Sequence, residues 1–172
     1  MRSLRELAPG SYDWGSGKDD PQLRQLLAGD DVVATLRWKE GFAAEGVEAQ
    51  TGDGAWALDR RGMLTREVII DPRGGVPAEY DSAGWEGGGE LRTATGGRYG
   101  FRPTTVLSTR WAWVGEGDVP LVSFLLERRR IFRRVEIVRL EPAVGANDDV
   151  SLLVVLGSWL AILGRRDQGA SG

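Results

Sequence analysis

Residues 150–163 read VSLLVVLGSWLAIL, and this nearly uniform apolar stretch decides the predicted fold. Eleven of its fourteen residues are apolar and none is charged. Asp148 and Asp149 precede it and Arg165 and Arg166 follow it, an arrangement that complements the dipole of a helix. Apolar side chains cover every side of such a helix, so it has to be surrounded by protein or by lipid. At about 1.5 Å per residue it is about 21 Å long, shorter than the ~30 Å hydrocarbon core of a bilayer. We therefore predict a helix enclosed by the rest of the protein.

The composition limits the classes of protein to consider. The 172 residues fit one domain, and the net charge of −3 at pH 7 argues against a general nucleic-acid binder. The chain has no cysteine and no histidine, which excludes disulfides, thiol nucleophiles, Ser-His-Asp triads and metal sites built from Cys or His. We expect no metal and no other cofactor. The opening sequence MRSLRELAPG lacks the apolar run of a secretory signal, so we expect a cytoplasmic protein.

Between residue 31 and about residue 141 the apolar residues recur with a period of two, which is typical of strands. Glycine-rich turns, such as Gly96-Gly97, separate about ten short segments. Consecutive strands joined by such turns are antiparallel. Ahead of these strands, Asp20 and Pro21 have the pattern of a helix N-cap and a first helical residue. We therefore predict a short helix at residues 21–28.

About ten antiparallel strands form either two stacked sheets or a closed barrel. The apolar segment favours the barrel, because a sandwich has no slot for a helix that is apolar on every side. We predict a mainly β fold: a closed antiparallel barrel of about ten to twelve strands around the C-terminal helix, with a short N-terminal helix. In this interpretation residues 1–30 pack on the barrel. Residues 31–166 form the barrel with its axial helix at 150–163, and 167–172 are a frayed tail.

Several short motifs occur in a recognisable order. They are the ending LLVVLGSWLAIL at 152–163, the strand at 34–38, the turn Asp53-Gly54-x-Trp56 and the stretch GGRY at 96–99. Together they resemble the Tubby C-terminal-domain-like superfamily, which includes LURP-one-related proteins and phospholipid scramblases. The ending is similar to the terminal Leu-Leu-x-x-Leu-Gly-x-aromatic-Leu pattern of that superfamily. The resemblance covers about residues 30–163 and implies a twelve-strand barrel around a C-terminal helix.

The same resemblance implies a non-enzymatic binding or scaffold domain. Tubby proteins bind phosphoinositide headgroups through basic residues on the barrel wall, and scramblase-like members carry a calcium-binding stretch and a membrane-inserting segment. This sequence has no counterpart to the acidic calcium loop and no basic motif that aligns with the Tubby one. The resemblance therefore implies association with anionic lipid headgroups or a protein partner at the periphery of a membrane, without nucleic acid and without a transmembrane span.

The chain has one marked cluster of basic residues, RRRIFRR at residues 128–134. Across 128–140 there are six arginines against one acid, Glu136. Arginine binds phosphate bidentately. Each basic residue near an anionic membrane contributes about 1 kcal/mol to the free energy of membrane binding. The alternative is a solvated hairpin end paired with neighbouring acids. The candidate binding residues are Arg128, Arg129, Arg130, Arg133 and Arg134.

Other features have less distinctive interpretations. Trp85, in the glycine-rich loop GWEGGG, is either an exposed anchor or a packed side chain, and the tryptophans within strands are expected to pack in the wall. Gly157 and Ala161 share one face of the helix, which predicts close contact either with a strand of the wall or with another membrane helix. Two further function classes stay open. One is a tail-anchored membrane protein that uses residues 150–163, and the other is an enzyme that works without histidine and cysteine.

Overall fold

The computed structural model describes residues 1–17, 19–40, 45–62, 66–83, 88–104, 110–129 and 133–170, except the side chains of 128, 129, 133, 134, 169 and 170. Within these residues the fold is mainly β, with one α-helix, α1 (Val150–Ala170). The strands are β1 (Gly10–Ser16), β2 (Leu23–Ala28), β3 (Asp31–Trp38), β4 (Val47–Thr51), β5 (Gly54–Arg61), β6 (Glu67–Pro72), β7 (Ala78–Ser82), β8 (Gly89–Thr93), β9 (Arg98–Pro103), β10 (Arg110–Val114), β11 (Pro120–Arg129) and β12 (Arg133–Leu140).

The twelve strands form one antiparallel sheet that curls into a nearly closed barrel. The sheet order is β6-β5-β4-β3-β2-β1-β12-β11-β10-β9-β8-β7, so that the first strand pairs with the last. The ends of this order, β6 and β7, lie beside each other, and the Ser82 hydroxyl donates to the Arg66 carbonyl at 3.3 Å. Within the described residues no backbone ladder joins these two strands. The predicted antiparallel barrel is therefore confirmed as a nearly closed one.

Helix α1 lies inside the barrel and forms the centre of its core. Leu153, Val154, Val155, Leu156 and Trp159 are fully buried. They belong to one apolar cluster with inward-facing side chains of the strands. The prediction that protein encloses the apolar segment is confirmed. The side chains that would face lipid in a tail anchor are the ones that pack against this wall. No helix in the described part of the chain combines the length and apolarity needed to cross a bilayer.

Three tryptophan indoles fix the helix within the barrel. Trp113 donates to the Leu153 carbonyl at 2.7 Å, and Trp14 donates to the Ser158 hydroxyl at 3.0 Å. In the third bond Trp159, on the helix itself, donates to the Glu45 carbonyl at 2.8 Å. Because a buried indole N–H needs a partner, these bonds set both the depth and the rotation of α1.

The predicted helix at residues 21–28 is wrong, since residues 23–28 form β2 between β1 and β3. The Asp20 side chain does accept a bond from the Gln22 N–H, at 2.9 Å. However, the Asp20 carbonyl also accepts from the Leu23 N–H at 3.1 Å, which makes a turn. At the other end Gly29, with φ +66°, turns the chain into β3. The N-terminal region contains a short 3-10 turn, Leu4–Glu6, in place of a helix.

Two boundaries differ from the predicted ones. Strands β1 and β2 belong to the barrel wall, although they lie within residues 1–30, which were predicted to pack on the barrel from outside it. Helix α1 runs past residue 163 to Ala170, so residues 167–170, which were expected to fray, are helical. Charged side chains of these last turns form ion pairs with the barrel, at Arg165 and Asp167, and this explains the extension.

Gly157 lies where the helix and the wall meet most closely, and it gives a test of the packing. A Cβ there would lie 2.2 Å from Phe124 Cζ and 2.4 Å from Trp113 Nε1, whereas at Gly164 the nearest atom, Trp111 Cζ2, is 3.5 Å away. Alanine favours a helix at both positions, but at 157 it overpacks the core. We expect Gly157→Ala to lower the free energy of unfolding by about 1–2 kcal/mol and Gly164→Ala to raise it by about 0.5–1 kcal/mol. Urea denaturation of the two variants measures both effects. Equal effects of the same sign would contradict this packing.

Candidate functional site: the charged mouth of the barrel

The topology brings the arginine-rich segment and the end of α1 to the same end of the barrel. Neighbouring strands alternate in direction, so all odd-numbered strands finish at one end. Helix α1 follows β12, begins at the opposite end and finishes where the odd-numbered strands finish. We call the end that holds the last turns of α1 the mouth, and the end that holds its first turn the base.

The predicted arginine cluster lies at the mouth end of the β11–β12 hairpin. In the ladder Arg128 is opposite Arg134, and Arg129 is opposite Arg133. The structure therefore brings four of the five candidate residues together as two facing pairs. The fifth, Arg130, lies outside the described residues, as does the predicted Trp85 loop.

Glu136, the one acid among residues 128–140, is engaged by arginines from elsewhere. Arg24 of β2 donates to Glu136 Oε2, and Arg165 of α1 donates to Oε1 at 2.6 Å. The Glu136 side chain is only 16% exposed. Both carboxylate oxygens thus serve arginines outside the hairpin. This weakens the alternative of pairing with neighbouring acids only for Glu136, because Glu127, next to Arg128 in the sequence, is a second acid of the hairpin.

A second charged cluster connects α1 to the other side of the mouth. Arg60 donates through Nε to Glu45 Oε2 at 2.5 Å, and through Nη1 and Nη2 to the two Asp167 oxygens at 2.8 and 3.1 Å. Arg66 Nη1 also donates to Asp167 Oδ2, at 2.7 Å. The bonds to Glu45 raise the pKa of Arg60 above its ordinary value; burial opposes this, and Asp167 adds to it. Among the described residues no group of His, Cys, Asp and Glu is arranged to hold a metal ion.

Arg166 completes the attachment of the helix end. Its guanidinium lies 4.1 Å from the ring centroid of Trp38 on β3, a cation–π contact. Three successive residues of α1, 165 to 167, therefore contact three different parts of the barrel. In the sequence Arg165 and Arg166 indicate only a helix C-terminus, and no local pattern marks Arg60 or Arg66 as partners of Asp167.

At the base, the acids that flank the helix start have structural roles. Asp149 is 3% exposed and accepts hydroxyl bonds from Thr93, Thr95 and Tyr99, at 2.8 to 2.9 Å. Burial raises the pKa of Tyr99 to about 12, and the bond to Asp149 adds to that rise. These contacts hold the first turn of α1 on the β8–β9 hairpin. Asp148 and Asp149, which the sequence places before the helix, therefore lie at the base and not in the candidate site.

Asp53 connects three segments at the base. It accepts from the Ser3 hydroxyl at 2.5 Å, from the Leu4 N–H at 3.1 Å and from the Ser151 hydroxyl of α1. Desolvation raises the pKa of this carboxyl, but the bonds from Ser151, Ser3 and Leu4, with the charge of Arg5, outweigh it and lower the pKa below 3.8. One ionised carboxylate thus fastens the N-terminal segment, the β4–β5 turn and the helix together.

The lowered pKa of Asp53 predicts acid sensitivity. A group whose pKa is depressed by folding contributes stability above its unfolded pKa, and this contribution is lost as the pH falls through the folded value. We expect Asp53→Asn to lower the free energy of unfolding at pH 7 by about 2 kcal/mol, through its charge-assisted bonds. The loss of stability of the wild type below about pH 4 should be shallower in the variant. Denaturant titrations from pH 7 to pH 2 measure both, and equal slopes in acid would exclude this role.

Comparison of the chain with protein-family models, with curated proteins and with solved structures finds no match. The resemblance to Tubby-like proteins that the sequence motifs indicate therefore stays a prediction. Similarity supports neither that family nor another, so the function has to be inferred from the geometry of the barrel and its mouth.

Proposed function

We propose that this chain is a non-enzymatic, Tubby-like binding domain that associates with an anionic phospholipid surface through the arginine-rich end of the β11–β12 hairpin. The observation that carries the proposal is the ladder register, in which Arg128 is opposite Arg134 and Arg129 is opposite Arg133. Like charges placed directly opposite each other destabilise a strand pair. A phosphate group at this end would relieve the repulsion and accept bidentate bonds.

The packed interior directs binding to the outside of the barrel. A wide barrel with an empty interior holds its ligand inside, but here α1 fills that space, with Leu152 and Ala161 each only 1% exposed. The buried polar groups near the helix have partners within the fold, as Ser158 has in Trp14 and Asp149 in Thr93. These contacts fix α1, which supports a binding domain and argues against a catalytic centre in the core.

A second facing arginine pair provides a contrast on the same barrel. Arg92 of β8 is opposite Arg98 of β9. Arg92 pairs with Asp81 at 2.7 Å and with Glu79 at 3.7 Å, so neighbouring acids balance this pair. At the hairpin one of the two nearby acids, Glu136, instead holds Arg24 and Arg165, and the other is Glu127, beside Arg128. This difference favours the hairpin as the surface that attracts an external anion.

The proposed location is the cytoplasmic face of a membrane. Anionic lipids are concentrated in the cytoplasmic leaflet, where each nearby basic residue contributes about 1 kcal/mol. Such binding is electrostatic and peripheral, and it weakens as salt screens the charges. It needs no membrane-spanning segment, so α1 stays within the barrel.

Vesicle flotation tests the proposal. Wild-type protein should float with vesicles of phosphatidylcholine mixed with phosphatidylserine, and much less with phosphatidylcholine alone. We expect the double variant Arg128→Gln with Arg134→Gln to reduce the partition coefficient at least about tenfold, since two basic residues are lost. Raising the salt concentration should release the wild-type protein in the same way.

The matched control is Arg92→Gln with Arg98→Gln, which removes the same charge from the other facing pair. This control should bind vesicles like the wild type, whereas Glu136→Gln should bind more strongly because it removes a negative charge near the hairpin. Circular dichroism establishes that each variant is folded. If both arginine double variants lost vesicle binding equally, net charge alone would explain the loss, and the hairpin would have no special role.

A further inference from the structure

The cluster around Asp167 has the geometry of an occupied carboxylate site. Arg60 contacts both Asp167 oxygens, and Arg66 adds a third bond at 2.7 Å. The Arg60 side chain is only 11% exposed, so its guanidinium is preorganised by the surrounding wall. A planar guanidinium that engages both oxygens is the arrangement by which arginine recognises a carboxylate.

The residues that supply this carboxylate are weakly attached to the rest of the core. Apolar anchoring of α1 ends at Leu163, which is 2% exposed, and residues 164–168 are half-buried or exposed. Gly164 and Gly169 lie within these last turns, and glycine disfavours a helix. An aspartate near a helix C-terminus also opposes the helix dipole. The ion pairs of the mouth, more than helix propensity, therefore hold this end of α1.

Arg66, which completes the cluster around Asp167, has a strained backbone. Its φ is +45°, in the left-handed region that a residue with a Cβ rarely adopts. Strain of this kind persists when surrounding contacts require it and is found at sites that bind ligands. Here the strained residue is one that binds Asp167 directly.

We propose that Arg60 and Arg66 form a carboxylate-binding site that Asp167 occupies in cis, and that an acidic peptide segment of a partner occupies it when the last turns of α1 unwind. Glu45 stays bound to Arg60, and an incoming carboxylate takes the positions that the two Asp167 oxygens leave. Asp167 then acts as an internal competitor that sets how strongly the partner has to bind. The site is separate from the hairpin arginines and does not depend on them.

Chemical rescue of a vacated site provides the test. In Asp167→Ala the two arginines lose their carboxylate, and sodium acetate is the probe that replaces it. We expect acetate to raise the melting temperature of this variant by about 3 °C more than sodium chloride at equal ionic strength, as ligand binding to the folded state does. The wild type should show no such difference, because its own carboxylate fills the site.

Two further variants make the result specific. Asp71→Ala removes a carboxylate from Arg73, an exposed partner, and acetate should not rescue it. Adding Arg60→Gln to Asp167→Ala should abolish the rescue. Acetate that stabilises all variants equally, or none of them, would overturn the site.

Hydrogen exchange of the wild type tests the displacement itself and needs no variant. A hexaglutamate peptide should speed amide exchange at residues 164–170 at least about threefold over hexaglutamine, because the displaced turn opens. Unchanged amide exchange in this segment would overturn the proposed displacement of Asp167 by a partner, even where acetate rescues the alanine variant. Binding of hexaglutamate that persists in Arg60→Gln with Arg66→Gln would assign the peptide to another surface.

Discussion

The fold depends on the need to enclose a helix that is apolar on every side. A helix of this kind is stable only where each face meets other apolar groups, and the curled sheet provides them with inward-facing side chains such as Phe124 and Leu58. Space alone does not fix its position. The indole of Trp113 reaches the helix backbone at Leu153 because Gly157 has no side chain in the way. Shape and hydrogen bonding therefore select one depth and one rotation.

The two ends of the barrel hold the helix by different chemistry. At the base, carboxylates accept bonds from hydroxyls and backbone N–H groups, as at Asp149 and Asp53, in a largely desolvated setting. At the mouth, the guanidinium of Arg60 meets carboxylates that are themselves partly exposed, Glu45 at 38% and Asp167 at 26%. Surface ion pairs are weaker and more sensitive to salt than buried hydrogen bonds. The base is therefore the firm attachment of the helix and the mouth is the adjustable one.

The sequence predicted the architecture better than the site, for physical reasons. Alternating apolar residues and one uniformly apolar helix indicate a barrel with an axial helix, because both patterns are local. Strand β2 was missed since Leu23, Leu26 and Leu27 also fit one helix face, and only pairing with β1 and β3 decides between the two. The hairpin that carries Arg128 could be predicted, because the segments on both sides of the arginine-rich stretch have the pattern of strands. The contact of Arg60 with Asp167 spans 107 residues, and no local pattern encodes it.

The ladder between the first and last strands has a consequence for how the molecule is made. Gly10 is paired with Leu140, and α1 follows only after that strand. Joining such distant segments costs loop entropy and slows folding. A chain emerging from the ribosome can form successive hairpins as an open ribbon, yet it has nothing to wrap around until α1 appears. The barrel therefore closes around a segment that is made after β12, and until α1 appears a nascent chain exposes its inner face.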